Sequence, residues 1–129
     1  MQIDRLDHFV LTVRHIDVTI GFYQTVLGMA PVTFGTGRKA LTFGQSKINL
    51  HEQGHELDPK ASHPVPGSAD LCFITATPLT AILEHLSSHG VTLVAGPVRR
   101  VGALGPIDSI YIRDPDGNLL ELSNPVADA

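Results

Sequence analysis

Of the 7 histidines and 13 acidic residues in this chain of 129, four are candidate hard-metal ligands: His8, His51, Asp70 and Glu121. Imidazole nitrogen and carboxylate oxygen suit divalent Mn, Fe, Ni or Zn rather than Cu(I), which prefers sulfur. Asn49 stands two residues before His51, and Cys72 two residues after Asp70, so each shares a strand face with its neighbour and could touch a bound substrate. Arg38 and Arg99, flanked by Lys39 and Arg100, are candidates to hold a substrate carboxylate or phosphate. A divalent ion with open positions holds two adjacent oxygens of a small molecule and stabilises the enolate or oxyanion that forms. A neighbouring carboxylate, here Glu121, can then move a proton. A protease reading of His51-Glu52-Gln53-Gly54-His55 fails, because H-E-x-x-H works only on a helix and this stretch follows a strand pattern and contains a glycine.

These residues need elements to present them. Arg5 to Val13 reads as a strand, with Phe9, Leu11 and Val13 on one face and His8, Val10 and Thr12 on the other. Asp17 offers an N-cap for a helix over Val18 to Leu27 that Gly28 stops. Strands follow at Met29 to Phe34, Lys39 to Phe43 and Lys47 to Glu52, joined by short glycine-bearing turns. In the last of them Asn49 and His51 oppose Ile48 and Leu50. Gln53 to Gly67, with its glycines, prolines and scattered charge, reads as a connecting loop. A second unit starts at Ser68 to Thr75, and its helix is capped by Thr77, opened by Pro78 and stopped by Gly90. Val91 to Val98 and Ile107 to Ile112 read as strands. The turn Asp114-Pro115-Asp116-Gly117-Asn118 then leads into Leu119 to Ser123, where Glu121 opposes Leu120 and Leu122.

The order is βαβββ twice. Asp70 follows His8 by 62 residues, and Gly90 follows Gly28 by the same interval, whereas Glu121 follows Asn49 by 72. About ten extra residues therefore sit in the second half, and Arg99 to Pro106 is expected to hold most of them as a longer connection. An internal duplication of this kind predicts an α+β fold: two tandem βαβββ modules, about 1–53 and 68–125, form curved mixed sheets around a shared cleft in one domain spanning 1–129. His8 then corresponds to Asp70, and Asn49 or His51 to Glu121. Each strand turns an apolar side to a helix and a metal-competent side to the cleft.

Composition narrows the partners. A net charge of −4 leaves no basic footprint for nucleic acid or for an acidic membrane surface, and no apolar run is long enough to span a bilayer. Cys72 is the single cysteine, so no intrachain disulfide forms, and a cytoplasmic protein acting on a small molecule is expected.

His8 in the first strand, Phe22-Tyr23 with Leu27-Gly28-Met29 at the helix end, and Asp114-Pro115-Asp116-Gly117-Asn118 followed by Glu121 resemble the vicinal oxygen chelate superfamily. That superfamily includes glyoxalase I, fosfomycin-resistance thiol transferases, bleomycin-binding proteins and extradiol dioxygenases. The resemblance spans nearly the whole chain. Within it, Arg38-Lys39-Ala40-Leu41, Asn49-Leu50-His51-Glu52, His63-Pro64-Val65-Pro66-Gly67-Ser68 and Gly105-Pro106-Ile107 are similar to glyoxalase-domain proteins often labelled virulence proteins. The resemblance implies that His8 and Glu121 take the superfamily's first-strand His and last-strand Glu ligand positions. The second-module His falls on Asp70 and the fourth-strand Glu on Asn49, two departures that leave His51 as third ligand. It further implies a homodimer and a metal-dependent lyase or isomerase of glyoxalase type. The alternatives are an extradiol-type dioxygenase using His8, His51 and Glu121, and a non-enzymatic protein that binds a small compound to confer resistance.

Overall fold

The computed structural model describes residues 1–127, in the order β1 (His8–Val13), α1 (Ile16–Thr25), β2 (Ala30–Phe34), β3 (Arg38–Phe43), β4 (Ser46–Glu52), β5 (Asp70–Ile74), α2 (Leu79–Ser88), β6 (Ala95–Gly102), β7 (Gly105–Arg113) and β8 (Leu119–Pro125). The chain divides into two compact units, Met1–Ser68 and Ala69 onward, so Gln53 to Gly67 belongs to the first. Each unit is βαβββ with a four-stranded mixed sheet, ordered β1-β4-β3-β2 in the first and β5-β8-β7-β6 in the second. The first strand of each unit pairs in parallel with the last, and the other pairs are antiparallel. A parallel pair cannot be closed by a tight turn, so the helix crosses over and the meander returns to lie beside it. The duplicated fold anticipated from the sequence is present.

The cores follow strand parity. Leu11, Val13, Leu41, Ile48 and Leu50 bury one face of the first sheet, where Tyr23 of α1 is wholly buried. In the second unit Ile110, Ile112, Leu120 and Leu122 do the same, with Leu86 of α2 also buried. The corresponding strand origins are His8 and Asp70, the first residues of β1 and β5.

Element ends depart from local expectation. Helix α1 begins at Ile16 after His15, and Asp17 sits in the first turn rather than capping it, where a carboxylate still suits the unsatisfied N–H groups. Helix α2 begins at Leu79, with Pro78 as N-cap in place of Thr77. Its real cap comes from far along the chain: Leu79 N–H donates to Asn124 Oδ1 at 2.9 Å, and Asn124 Nδ2 donates to the carbonyls of Thr75 (2.9 Å) and Thr77 (2.8 Å). The strand expected at Val91 to Val98 starts only at Ala95, and it continues through Gly102. Residues 99–106 are thus a tight hairpin whose turn is Ala103-Leu104, not the longer connection expected there. The strand passes Gly96 and Pro97 by shifting register between Ala95 and Val98. At Gly96 the backbone has φ +96, and a Cβ would run into the Ser109 carbonyl oxygen.

The β7–β8 turn is fastened by side chains. Asp114 Oδ1 accepts from the N–H groups of Asp116 (2.9 Å) and Asn118 (3.0 Å), and Asp114 Oδ2 accepts from Asn118 Nδ2 at 2.8 Å. Asn118 Oδ1 then accepts from Ala69 N–H at 2.9 Å, tying the turn to the start of β5. Asp114 and Asn118 are buried, so removing one partner leaves the others desolvated and unpaired. Asn118→Ala is expected to cost about 2–3 kcal/mol, read as a lower urea midpoint with an unchanged m-value in chemical denaturation.

Candidate functional site

Strand register assigns each candidate to a face. In the first unit His8 pairs with Lys47, Val10 with Asn49 and Thr12 with His51, so His8, Asn49 and His51 share the face opposite the helix. Arg38 joins them, because Lys39 pairs with Leu50 and the next rung sets Arg38 beside His51. His51 is nonetheless four residues along the strands from the level of His8, about 13 Å at the usual rise. Two side chains projecting in parallel from that separation do not converge on one ion.

His8 is half exposed at the start of β1, and its Nδ1 lies 2.7 Å from Asp7 Oδ2. An ionised carboxylate can only accept, so Nδ1 carries a proton in this contact, and in the neutral ring Nε2 then offers its lone pair. The bond from His8, aided by the Arg5 and Lys47 charges, holds the Asp7 carboxyl below its ordinary range. Asn49 and His51 are buried further along the face, at 5% and 6% exposure. Asn49 Oδ1 and both ring nitrogens of His51 have no hydrogen-bond partner. Burial and the nearby Arg38 charge push the His51 pKa down against an opposing pull from Glu56, so this imidazole is neutral near pH 7.

In the second unit Asp70 pairs with Leu119, Cys72 with Glu121 and Ile74 with Ser123, while Tyr111 pairs with Glu121 from the other side. Glu121 is therefore flanked by a thiol and a phenol on one polar face. The Ser109 and Ser123 hydroxyls, both buried, lie 2.7 Å apart, and Ser123 is 3.4 Å from Cys72 Sγ. Desolvation of its sulfur pushes the Cys72 thiol up, Ser123 pulls the other way, and Glu121 and Asp70 add to the rise. The thiol stays protonated. Arg99 lies on the other face, its Nε donating to Asp108 at 2.6 Å. Arg100 shares the face of Tyr111, with its Nε donating to the phenol oxygen at 3.0 Å.

Among the described residues no group of three His, Cys, Asp or Glu side chains lies close enough to hold a metal ion. The donor types nevertheless suit one: His8 presents a free Nε2 behind a carboxylate-bound Nδ1, the usual outer support of a metal-binding imidazole. Asp7 and the Arg100–Tyr111 pair escaped sequence reasoning. The acidic residue directly before His8 was the available signal for Asp7.

Comparison with known proteins sets these faces in a family. The model of the "Glyoxalase/Bleomycin resistance protein/Dioxygenase superfamily" matches residues 5–122. The chain is 60% identical over 126 residues to virulence protein STM3117 of Salmonella typhimurium, covering 98% of this chain and 88% of that one. The crystal structure of that relative superposes with a TM-score of 0.96 over 98% of this chain and 100% of the other. A glyoxalase domain-containing protein, RDO1 of Mycosarcoma maydis, is 55% identical over 96% of this chain and 70% of its own. The metallothiol transferase FosB of Shouchella clausii is 30% identical over 94% and 80%.

The buried neutral His51 has a consequence for stability. A histidine whose folded pKa is depressed binds fewer protons in the folded state than in the unfolded one. Stability therefore rises with pH through the window below about 6.5 and falls as acid protonates the unfolded chain. His51→Gln is expected to flatten the pH dependence of the urea midpoint between about pH 5 and 7, measured against wild type at each pH.

Proposed function

Because the chain belongs to the glyoxalase/bleomycin resistance protein/dioxygenase superfamily, we propose that it is a metal-dependent enzyme of glyoxalase type, a lyase or isomerase acting on a small molecule with two adjacent oxygens. The observation that carries this reading is the His8 imidazole, whose Nδ1 is held by Asp7 and whose Nε2 is left as a donor. In a homodimer that faces the first sheet of one chain with the second sheet of its partner, His8 and Glu121 would hold the ion, one of Mn, Fe, Ni or Zn, with Asp70 a further carboxylate donor. When bound, the ion supplies a Lewis acid that holds substrate oxygens and stabilises negative charge on them.

The chain's own groups do the rest. Asp7 keeps the His8 ring in one tautomer and orientation. Glu121, half-buried between Cys72 and Tyr111, accepts a proton from a carbon or hydroxyl and returns it. Arg100 and the phenol it binds place positive charge and an O–H on the same face, suited to a developing oxyanion. Cys72, protonated, contributes a surface for substrate rather than a nucleophile. Asn49 offers its unpaired amide oxygen to a substrate donor.

The ring-cleaving alternative asks for a second imidazole beside His8. The four-residue separation of His51 from His8 weighs against it. A cytoplasmic homodimer is part of the same proposal; closed two-fold pairs are the commonest assembly. Among the described residues no helix is long and apolar enough to cross a membrane.

Two measurements test the reading. Elemental analysis is expected to find metal in wild type and sharply less in His8→Ala and Glu121→Gln, with circular dichroism unchanged in both. Full occupancy in both folded variants would overturn the site, and a wild type that takes up none of the four metals would favour a sequestering protein. Sedimentation at micromolar concentration is expected to show a dimer, and a monomer there would reject the assembly.

A further inference from the structure

We propose that the second sheet carries, on the face of Glu121, a pocket for a hydrocarbon group of the substrate. The substrate class is then a small molecule with adjacent oxygens at one end and an uncharged alkyl or aryl group at the other; that last step rests on the enzyme reading above, whereas the pocket stands on its own geometry. Ile74, Leu104, Pro106, Ile107, Pro125 and Val126 line a hollow of about 310 Å³ at the β6–β7 hairpin. Register sets its floor and near edge on the Glu121 face. Cys72 pairs with Glu121, and Ile74 is the next residue of β5 on that face. Ile107 pairs with Pro125, four residues along from the Tyr111–Glu121 pair and so of the same parity. Gly102 across the hairpin agrees, since a Cβ there would stand 3.1 Å from Ile107 Cγ2. Cys72 and Ile74 are both exposed, which leaves the strand edge open from one to the other. The hollow thus begins at Ile74, roughly 7 Å along the strands from the level of Glu121, and ends at Pro125, roughly 13 Å away.

The occupant's chemistry follows from what the lining lacks. Every lining residue is Ile, Leu, Val, Pro, Ala or Gly, so no side chain there donates, accepts or carries charge. Backbone polarity is paired where β7 meets the end of the chain: Val126 N–H donates to the Pro106 carbonyl at 3.0 Å. A charged group entering the hollow would lose water and gain no partner, whereas a hydrocarbon group loses only its unfavourable contact with water. Ile74 is 58% exposed, and Val101 and Leu104 at the hairpin are almost wholly so. Contiguous exposed apolar surface of this kind marks a binding site. An apolar cavity of about 150 Å³ already takes benzene, so the volume admits a branched alkyl chain or a single ring. The hollow is concave and shares its face with Glu121, which favours a ligand that reaches both over a second copy of the chain.

The test reads the lining directly. Methyl ¹H–¹³C resonances of Ile74, Leu104 and Ile107 are followed during titration with 1-butanol, 1-hexanol and 6-amino-1-hexanol, the last protonated at neutral pH. Hexanol is expected to shift them saturably in the millimolar range. Affinity should rise about fourfold per methylene from butanol to hexanol, and the amino alcohol should give no saturable shift. Ile74→Asp is expected to weaken hexanol by roughly tenfold or more, with unchanged circular dichroism. Leu104→Ser, at a fully exposed turn position, removes part of the wall and serves if the aspartate variant does not fold. Absence of a saturable hexanol shift in wild type, or undiminished affinity in the folded variant, overturns the pocket. Equal binding of the amino alcohol overturns its assignment to hydrocarbon groups, and shifts that follow protein concentration without ligand give the hollow to a second copy instead. With Mn²⁺ added, 1,2-hexanediol is expected to bind more tightly than 1-hexanol, and equal affinity would overturn the link between pocket and substrate. The hexanol readout needs no metal. A protein that binds hexanol but no metal keeps the pocket and loses the enzyme reading, and one that takes up metal without a methyl shift does the reverse.

Discussion

Each sheet depends on one constraint, the parallel pairing of a unit's first strand with its last. Its register is what makes the polar faces. Residue two of the ladder after His8 sets Val10 against Asn49, and the same step after Asp70 sets Cys72 against Glu121. Asn49 and Glu121 are therefore structural counterparts, and so are His51 and Ser123. The parallel pair has no turn of its own to hold it. In the second unit the Asp114–Asn118 network supplies that hold, joining the β7–β8 turn to the residue just before β5.

The two polar faces differ in kind. The first carries imidazoles, an amide and cations. The second carries Glu121 among a thiol, a phenol and buried hydroxyls. A buried hydroxyl pair such as Ser109 and Ser123 satisfies itself at 2.7 Å, whereas Asn49 and His51 have no internal partner. Among the described residues, unsatisfied buried polarity is thus confined to the first unit. That asymmetry is the physical ground on which the proposed proton chemistry is assigned to the second face.

Much of this was legible in the chain. Alternation in β1, β4 and β8 assigned His8, Asn49, His51 and Glu121 to faces, and the common interval from His8 to Asp70 and Gly28 to Gly90 gave the duplication. What was not legible depends on contacts distant in sequence. The cap of α2 is Asn124, 45 residues away from the N–H that it receives. The distance between His8 and His51 follows from a ladder register that no local pattern encodes. Arg99 and Arg100 look alike as neighbours, yet parity sends one to Asp108 and the other to Tyr111. The start of β6 was read too early because Val91, Leu93 and Val94 carry strand propensity, yet the ladder begins only at Ala95.

Gly96 shows what such accommodation demands of a lineage. The strand runs so close to Ser109 that any side chain would have to push into its carbonyl oxygen, on a backbone with φ +96. Every replacement coded by a change at that position carries a Cβ, so no gradual path of substitutions leads away from glycine there. The sheet bearing Glu121 can diversify its chemistry at Cys72, Tyr111 or Arg100, one residue at a time. At position 96 it can change only together with the path of the neighbouring strand.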